Sequence, residues 1–229
     1  MTDAVVAEKL MELAGGDPFT EVRRQSEEHQ RAHGCGLHHA GAPQMQLVAA
    51  LARAANVERA LDLGCGLGYS TLWIATAIGE TGSVVGIDDD PEHTARATSL
   101  AAGAGLDGRV SYVTGRVGDV LSTFDGPFDM IHDDAWFAKA PDHLEMVIAL
   151  LRPGGLLTMV NWFLLVDALT GEPRNDWASF AGPGWVEDTL AYARLLARRT
   201  DLSVVWVTTP PIGFATVGAR DSRRTDQAL

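Results

Sequence analysis

The feature that most constrains this chain is an alternation that starts at Arg59. Five short apolar runs, RALDL (59–63), SVVGID (83–88), RVSYVTG (109–115), FDMIHD (128–133) and LLTMV (156–160), suit buried strands. Between them lie YSTLWIATAIG (69–79), PEHTARATSLAAGAG (91–105), RVGDVLSTF (116–124) and PDHLEMVIALL (141–151), all of helical character. Strands joined through helices run parallel, and strands apolar on both sides need helices on both faces of their sheet. Two further apolar runs, LSVVWVTTP (202–210) and GFATVGAR (213–220), are only a few residues apart, as an antiparallel pair at one sheet edge requires. The expected fold is therefore α/β: a single doubly wound, mostly parallel seven-stranded sheet, helices on both faces, closed by an antiparallel C-terminal pair.

The flanks divide the chain. Residues 1–43 read as a helical extension (1–14 and Thr20 to about Ala32) followed by the loop HGCGLHHAGAP (33–43). Residues 44–220 form the α/β domain, entered through a helix at Gln44–Ala55, and 221–229 read as a frayed tail. The stretch Asn161–Gly184 reads as one long polar and aromatic connection, a length that tends to carry function. A helix follows at Trp185–Arg199.

Composition narrows the partners. A net charge of −12 has the wrong sign for holding a nucleic-acid backbone. The N-terminal MTDAVVAEKLMELAGG carries acids and no long apolar stretch, which argues against a signal peptide or membrane span and makes a cytoplasmic location the expectation. Two cysteines, Cys35 and Cys65, form no CxxC pair and read as structural thiols.

Chemistry concentrates where the first strand ends. Gly64, Gly66 and Gly68 sit at alternate positions, so backbone there can lie against a ligand with no Cβ between. The dinucleotide pattern GxGxxG needs its third glycine one position later, where Tyr69 stands, and no Gly-Lys-Ser/Thr of a phosphate loop follows. Asp62, in the strand before the glycines, can receive a positive group or an amine. Asp88 ends the next strand, where open α/β sheets place the acid that takes ribose hydroxyls. Asp89 and Asp90 suit solvent or the cap of the helix that opens at Pro91.

With these residues in view, the chain resembles the class I S-adenosylmethionine-dependent methyltransferases: LDLGCGLGYSTL (61–72) is similar to their first motif and VVGIDDDP (84–91) to their second. The resemblance implies that Gly64–Gly68 passes against the methionine end of S-adenosyl-L-methionine, with Asp62 and Ser70 near the amino acid and Asp88 on the ribose. It implies that Val117, in VTGRVGDVL (113–121), lines the adenine pocket, and that Gly115 permits the turn before it.

GYSTLWIA (68–75), FDMIHDDA (128–135), RPGGLL (152–157) and TPPIGFATV (209–217) resemble more closely the caffeoyl-CoA and catechol O-methyltransferase subfamily. The likeness runs from about residue 35 to 218, with its weight in 59–161. It implies a divalent metal such as Mg²⁺, held here by Asp134 and Asn161, drawing in a hydroxylated acceptor and lowering its pKa. The pattern is incomplete: Val160, Trp136 and Phe137 stand where the subfamily has two further acids and a lysine. Asp133 or His132 are substitutes for the missing ligand. Without a metal, His132 beside Asp134, or His38 and His39 of the loop, are the candidate bases. Trp136, Phe137, Trp162 and Phe163 flank two strand ends and suit the wall of a flat acceptor site.

The expected activity is methyl transfer to a hydroxyl of a small, aromatic or secondary-metabolite acceptor, by a chain that the resemblance makes a homodimer. Two alternatives stay open: metal-independent N- or C-methyl transfer, and a cofactor-binding module without turnover.

Overall fold

The computed structural model describes residues 3–34, 40–135, 141–160, 162–208 and 211–218. Three helices come first, α1 (Asp3–Leu13), α2 (Thr20–His33) and α3 (Ala42–Ala54). The alternation then appears as β1 (Arg59–Leu63), α4 (Tyr69–Ala77), β2 (Ser83–Asp88), α5 (Pro91–Gly103), β3 (Val110–Thr114), the short α6 (Val117–Val120), β4 (Phe128–Asp133), α7 (Pro141–Leu150) and β5 (Leu151–Val160). Three of the strands, β1, β2 and β4, cover the segments that the sequence assigns to them. Then come α8 (Phe163–Thr170), α9 (Trp177–Ala181), α10 (Trp185–Arg198), β6 (Leu202–Thr208) and β7 (Pro211–Val217).

The sheet order is β3-β2-β1-β4-β5-β7-β6, with β7 antiparallel to both neighbours and β1 to β5 parallel. This is the mostly parallel seven-stranded α/β sheet that the alternation demands. The chain order turns back at β1, between β2 and β4, so the strand ends there border the crevice where such sheets bind ligands.

Two expectations need correcting. The connection after β5 is not one irregular loop: it contains α8 and α9. They are held by Asp167, whose buried carboxylate accepts the Trp177 indole N–H at 2.6 Å and the Arg174 amide at 2.9 Å. And β5 starts at Leu151, five residues before the predicted run, with a register shift against β4 between Phe128 and Met130.

Successive strand residues face opposite sides of the sheet. Leu61, Ile131 and Leu157 lie in register and build one core layer, while Ala60, Met130 and Leu156 build the other. That second layer also packs Met11, Phe19 and Val22 of the N-terminal segment and Met45 and Val48 of α3 against Leu72 and Trp73 of α4. The extension is pinned as well as packed, because Tyr69 donates its hydroxyl hydrogen to Asp17 at 2.9 Å. Helix α2 buries Val22, Ser26 and His29, one side of the helix at three-to-four-residue spacing.

Candidate functional site

The loop after β1 is shaped by its three glycines. Gly64, Gly66 and Gly68 have φ of +80°, +53° and +85°, a left-handed backbone that other residues seldom adopt. A Cβ on Gly64 would stand 2.7 Å from the Ala135 Cα, and one on Gly68 would meet the Tyr112 hydroxyl. The loop is tied to β2: the Gly64 and Cys65 amides both donate to the Ile87 carbonyl, at 2.8 and 3.0 Å.

Asp88 is the hub of this end of the sheet. Its Oδ2 accepts the Gly66 amide at 2.9 Å, while Oδ1 lies 3.1 Å from the Asp90 amide and 2.9 Å from His93 Nδ1. A carboxylate has about four lone-pair positions. Three are filled, both on Oδ1 and one on Oδ2, which leaves Oδ2 one open position. Asp88 lines a cavity of about 400 Å³ together with Gly64, Val117, Ala135 and His143. The chain reaches Val117 through Gly115, whose amide donates to the Asp88 carbonyl at 2.9 Å; a Cβ there would crowd Val120 at 2.5 Å.

Asp62 lies beneath the loop, fully buried. Ser70 and Thr71, at the start of α4, donate their hydroxyls to its Oδ2 at 2.7 and 2.5 Å, while Oδ1 has no hydrogen-bond partner among the described residues. Burial drives the Asp62 carboxyl above its ordinary pKa; His132 and the two hydroxyls pull the other way. The pair of hydroxyls explains the Ser-Thr in the first turn of α4, behind Tyr69 and the Gly68 cap: they hydrogen-bond a buried carboxyl.

The β4 end separates its residues by face. His132 is fully buried in the row of Asp62 and Thr158, its Nδ1 2.8 Å from Thr158 Oγ1. Asp133 points to the opposite side, where its Oδ2 lies 2.9 Å from His143 Nε2 of α7. His143 lines the cavity and was not singled out from sequence, where it reads as one more helical residue. Asp134, half-buried, donates its amide to the Leu63 carbonyl at 2.9 Å, so its backbone lies beside the glycine loop.

Trp162 is buried: it stacks on Tyr192 (centroids 6.2 Å apart, planes at 20°) and meets Trp206 at 4.5 Å. It borders a second, apolar hollow of about 320 Å³ between α8, α10 and β6. The Phe163 ring carries the Arg174 guanidinium 5.2 Å above it. His38, His39, Trp136, Phe137 and Asn161 lie outside the described residues.

Metal-ligand spacing occurs elsewhere. Ligand atoms of His29, His33 and Glu92 lie within 4.8 Å of one another. A cation already sits there, since Arg96 places a guanidinium nitrogen 2.7 Å from His29 Nδ1. Among the described residues no helix is long and apolar enough to cross a membrane.

Comparison with known proteins agrees with this geometry. A family model described as "Methyltransferase domain" matches residues 61–161. A catechol O-methyltransferase of Niastella koreensis is 36% identical over 121 residues, 51% of this chain and 53% of that protein. A provisionally assigned O-methyltransferase of Mycobacterium sp. (strain KMS) is 32% identical over 175 residues, 76% of this chain and 74% of that protein. The chain spans about half the length of the catechol O-methyltransferases it matches, and about three quarters of the mycobacterial relative. Among solved structures, the O-methyltransferase TomG of Streptomyces achromogenes, involved in tomaymycin synthesis and crystallised with SAM, superposes with a TM-score of 0.76 at 25% identity, over 96% of this chain and 100% of that one.

Proposed function

The chain belongs to the class I S-adenosylmethionine-dependent methyltransferases and resembles their catechol and caffeoyl-CoA O-methyltransferase subfamily, and from that premise we propose that it transfers a methyl group to a hydroxyl of a small aromatic acceptor. The observation that carries the reading is the cavity bounded by Gly64 on one strand end and Asp88 on the next, with Asp88 strapped to the glycine loop through Gly66.

The residues fit the cofactor. Gly64, where a Cβ would press on the Asp134–Ala135 backbone, lines the cavity with bare main chain, the open position on Asp88 Oδ2 suits a ribose hydroxyl, and the Val117 side chain gives a base an apolar surface. The unpartnered Oδ1 of Asp62 is a negative acceptor beneath the loop, complementary to an ammonium group. When bound, S-adenosyl-L-methionine supplies an electrophilic methyl on a positive sulfur. The protein's part is alignment, exclusion of water and removal of the acceptor's proton.

A hard divalent cation fits less well. Mg²⁺ needs near-octahedral oxygen ligation, and Val160 puts a buried apolar side chain where the subfamily has an acid. Asp133 is engaged by His143, and Asp134, half-buried beside the glycine loop, is the next carboxylate along that strand end. The proposal therefore assigns proton removal to Asp134, with His38 and His39 as further bases, and routes no step through a metal. A homodimer working in the cytoplasm on a small-molecule acceptor, without nucleic acid or membrane, completes it.

Titration calorimetry with S-adenosylmethionine, followed by mass spectrometry of a catechol and phenol panel with and without chelator, tests the reading. Binding, a mass gain of ~14 Da on an acceptor oxygen (one CH₃ in place of one hydrogen) and indifference to chelator are expected. Absence of cofactor binding refutes it, and binding with methylation only of nitrogen or carbon acceptors replaces it with the rival transfer.

A further inference from the structure

Three side chains connect the N-terminal extension to Asp88. Helix α2 supplies His29, and α5 supplies His93 and Arg96. Arg96 Nη1 lies 2.7 Å from His29 Nδ1, His29 Nε2 lies 3.2 Å from His93 Nε2, and His93 Nδ1 lies 2.9 Å from Asp88 Oδ1. Both histidines are buried, 4% and 6% exposed, so solvent does not readily replace these partners.

The protons in this chain are dictated from its ends. A guanidinium only donates, so His29 Nδ1 accepts and the His29 hydrogen sits on Nε2. Two ring nitrogens can meet only if one carries hydrogen and the other does not. His93 therefore accepts at Nε2 and holds its own hydrogen on Nδ1, aimed at the carboxylate, which only accepts. Two neutral imidazoles thus bridge a fixed cation and a fixed anion, every donor meeting an acceptor.

We propose that Arg96, His29 and His93 are positioning residues: together they occupy Oδ1 of Asp88, present Oδ2 to the cofactor's ribose, and make cofactor binding depend on the docking of α2. The proposal rests on the reading that Asp88 holds that ribose. Its surroundings are charged but not competing. Glu92 Oε1 stands 3.7 Å from His29 Nδ1 and Asp90 Oδ2 3.7 Å from His93 Nε2, both beyond hydrogen-bond range, and the His33 ring stacks on His29 at 4.3 Å. A second proton on His29 would turn an N–H against the Arg96 guanidinium and break the chain at its cationic end.

Long-range ¹H–¹⁵N spectra of the histidine-labelled full chain read the tautomers directly. The expected result is His29 protonated on Nε2 and His93 on Nδ1, with Arg96→Met releasing that preference at His29. Calorimetry with S-adenosylmethionine supplies the second arm. His93→Phe should weaken binding about tenfold, the scale of one hydrogen bond to a charged group, whereas His93→Asn, whose amide nitrogen takes the place of Nδ1, should retain most of it. His93 found protonated on Nε2, or a His93→Phe variant that binds like the parent while Asp88→Asn does not, overturns the relay. Unchanged binding in Asp88→Asn overturns the ribose assignment instead, and the spectra then still decide whether the hydrogen-bonded chain exists.

Discussion

Gly66 donates its amide hydrogen to Oδ2 of Asp88 at 2.9 Å, so the turn after β1 and the tip of β2 form one hydrogen-bonded unit. A single carboxylate thereby holds the shape of the glycine loop and offers its remaining lone pair to the cavity. Replacement by Asn keeps the size and gives up one of the two oxygens. Asp88→Asn is expected to weaken S-adenosylmethionine binding about 10- to 100-fold, the range for hydrogen bonds to a charged group, as read by calorimetry.

The glycines of this chain differ in what a methyl group would meet. Gly64 combines φ +80° with backbone atoms of Asp134 and Ala135 at 3.0 Å or closer, whereas Gly15 has φ +101° and nothing within 4 Å. Gly15→Ala should cost about 1 kcal/mol for its backbone alone. Gly64→Ala should cost more, about 2–4 kcal/mol, because the backbone just after β4 must also move. Urea unfolding of the two variants checks the order.

Acid should loosen the α2–α5 contact. Burial above all, with the neighbouring His33, His93 and Arg96 acting in the same direction, lowers the His29 pKa from its ordinary 6.5, and Glu92 opposes this. The folded state therefore binds fewer protons than the unfolded chain below that value, and His29's contribution to stability is present at neutral pH and lost as pH falls through 6.5 toward the folded pKa. The stability difference between the wild type and His29→Gln, from urea midpoints at pH 8, 7, 6 and 5, should shrink toward the acid end.

Asp62 has the opposite sign of interest. Its carboxyl is held above the ordinary 3.8 chiefly by burial, so the folded protein is penalised once pH rises above that value. Asp62→Asn keeps an oxygen for Ser70 and Thr71 and removes the charge. Its melting temperature should exceed that of the wild type at pH 7, with the gap closing as pH approaches 4. Its affinity for S-adenosylmethionine should fall, which separates a stability gain from a functional one.

The Asp133–His143 pair gives a further check. Asp133 is 1% exposed, and His143→Ala removes the ring 2.9 Å from it. The expected cost is about 1–3 kcal/mol, the penalty for taking a hydrogen-bond partner from a buried acceptor, measured by the same unfolding experiment.

Much of the parallel core was legible, because strand runs such as RALDL and FDMIHD are short, apolar and bounded by turn residues, which leaves them few alternatives. Gly64 and Asp88 were legible for the same local reason: a strand end followed by glycines, and a strand end carrying an acid. What was not legible depends on distance along the chain. FLLVDALT has only eight residues, too few for helical periodicity, and the residue that anchors it, Asp167, finds Trp177 ten positions later. His29 meets His93 across 64 residues, and His143 meets Asp133 from the next helix. No pattern in one segment encodes such pairings; they follow from which helix the sheet places beside which strand.

The position of β7 has a consequence for how the molecule is assembled. It follows every other strand in the chain yet lies between β5 and β6. Until residues 211–217 arrive, β5 displays an unpaired edge and β6, whose neighbour in the sheet is β7, lacks its partner strand, with Val205 on the latter 46% exposed. A nascent or truncated chain thus offers two open templates for intermolecular pairing, and chaperone dependence should concentrate in that interval of synthesis.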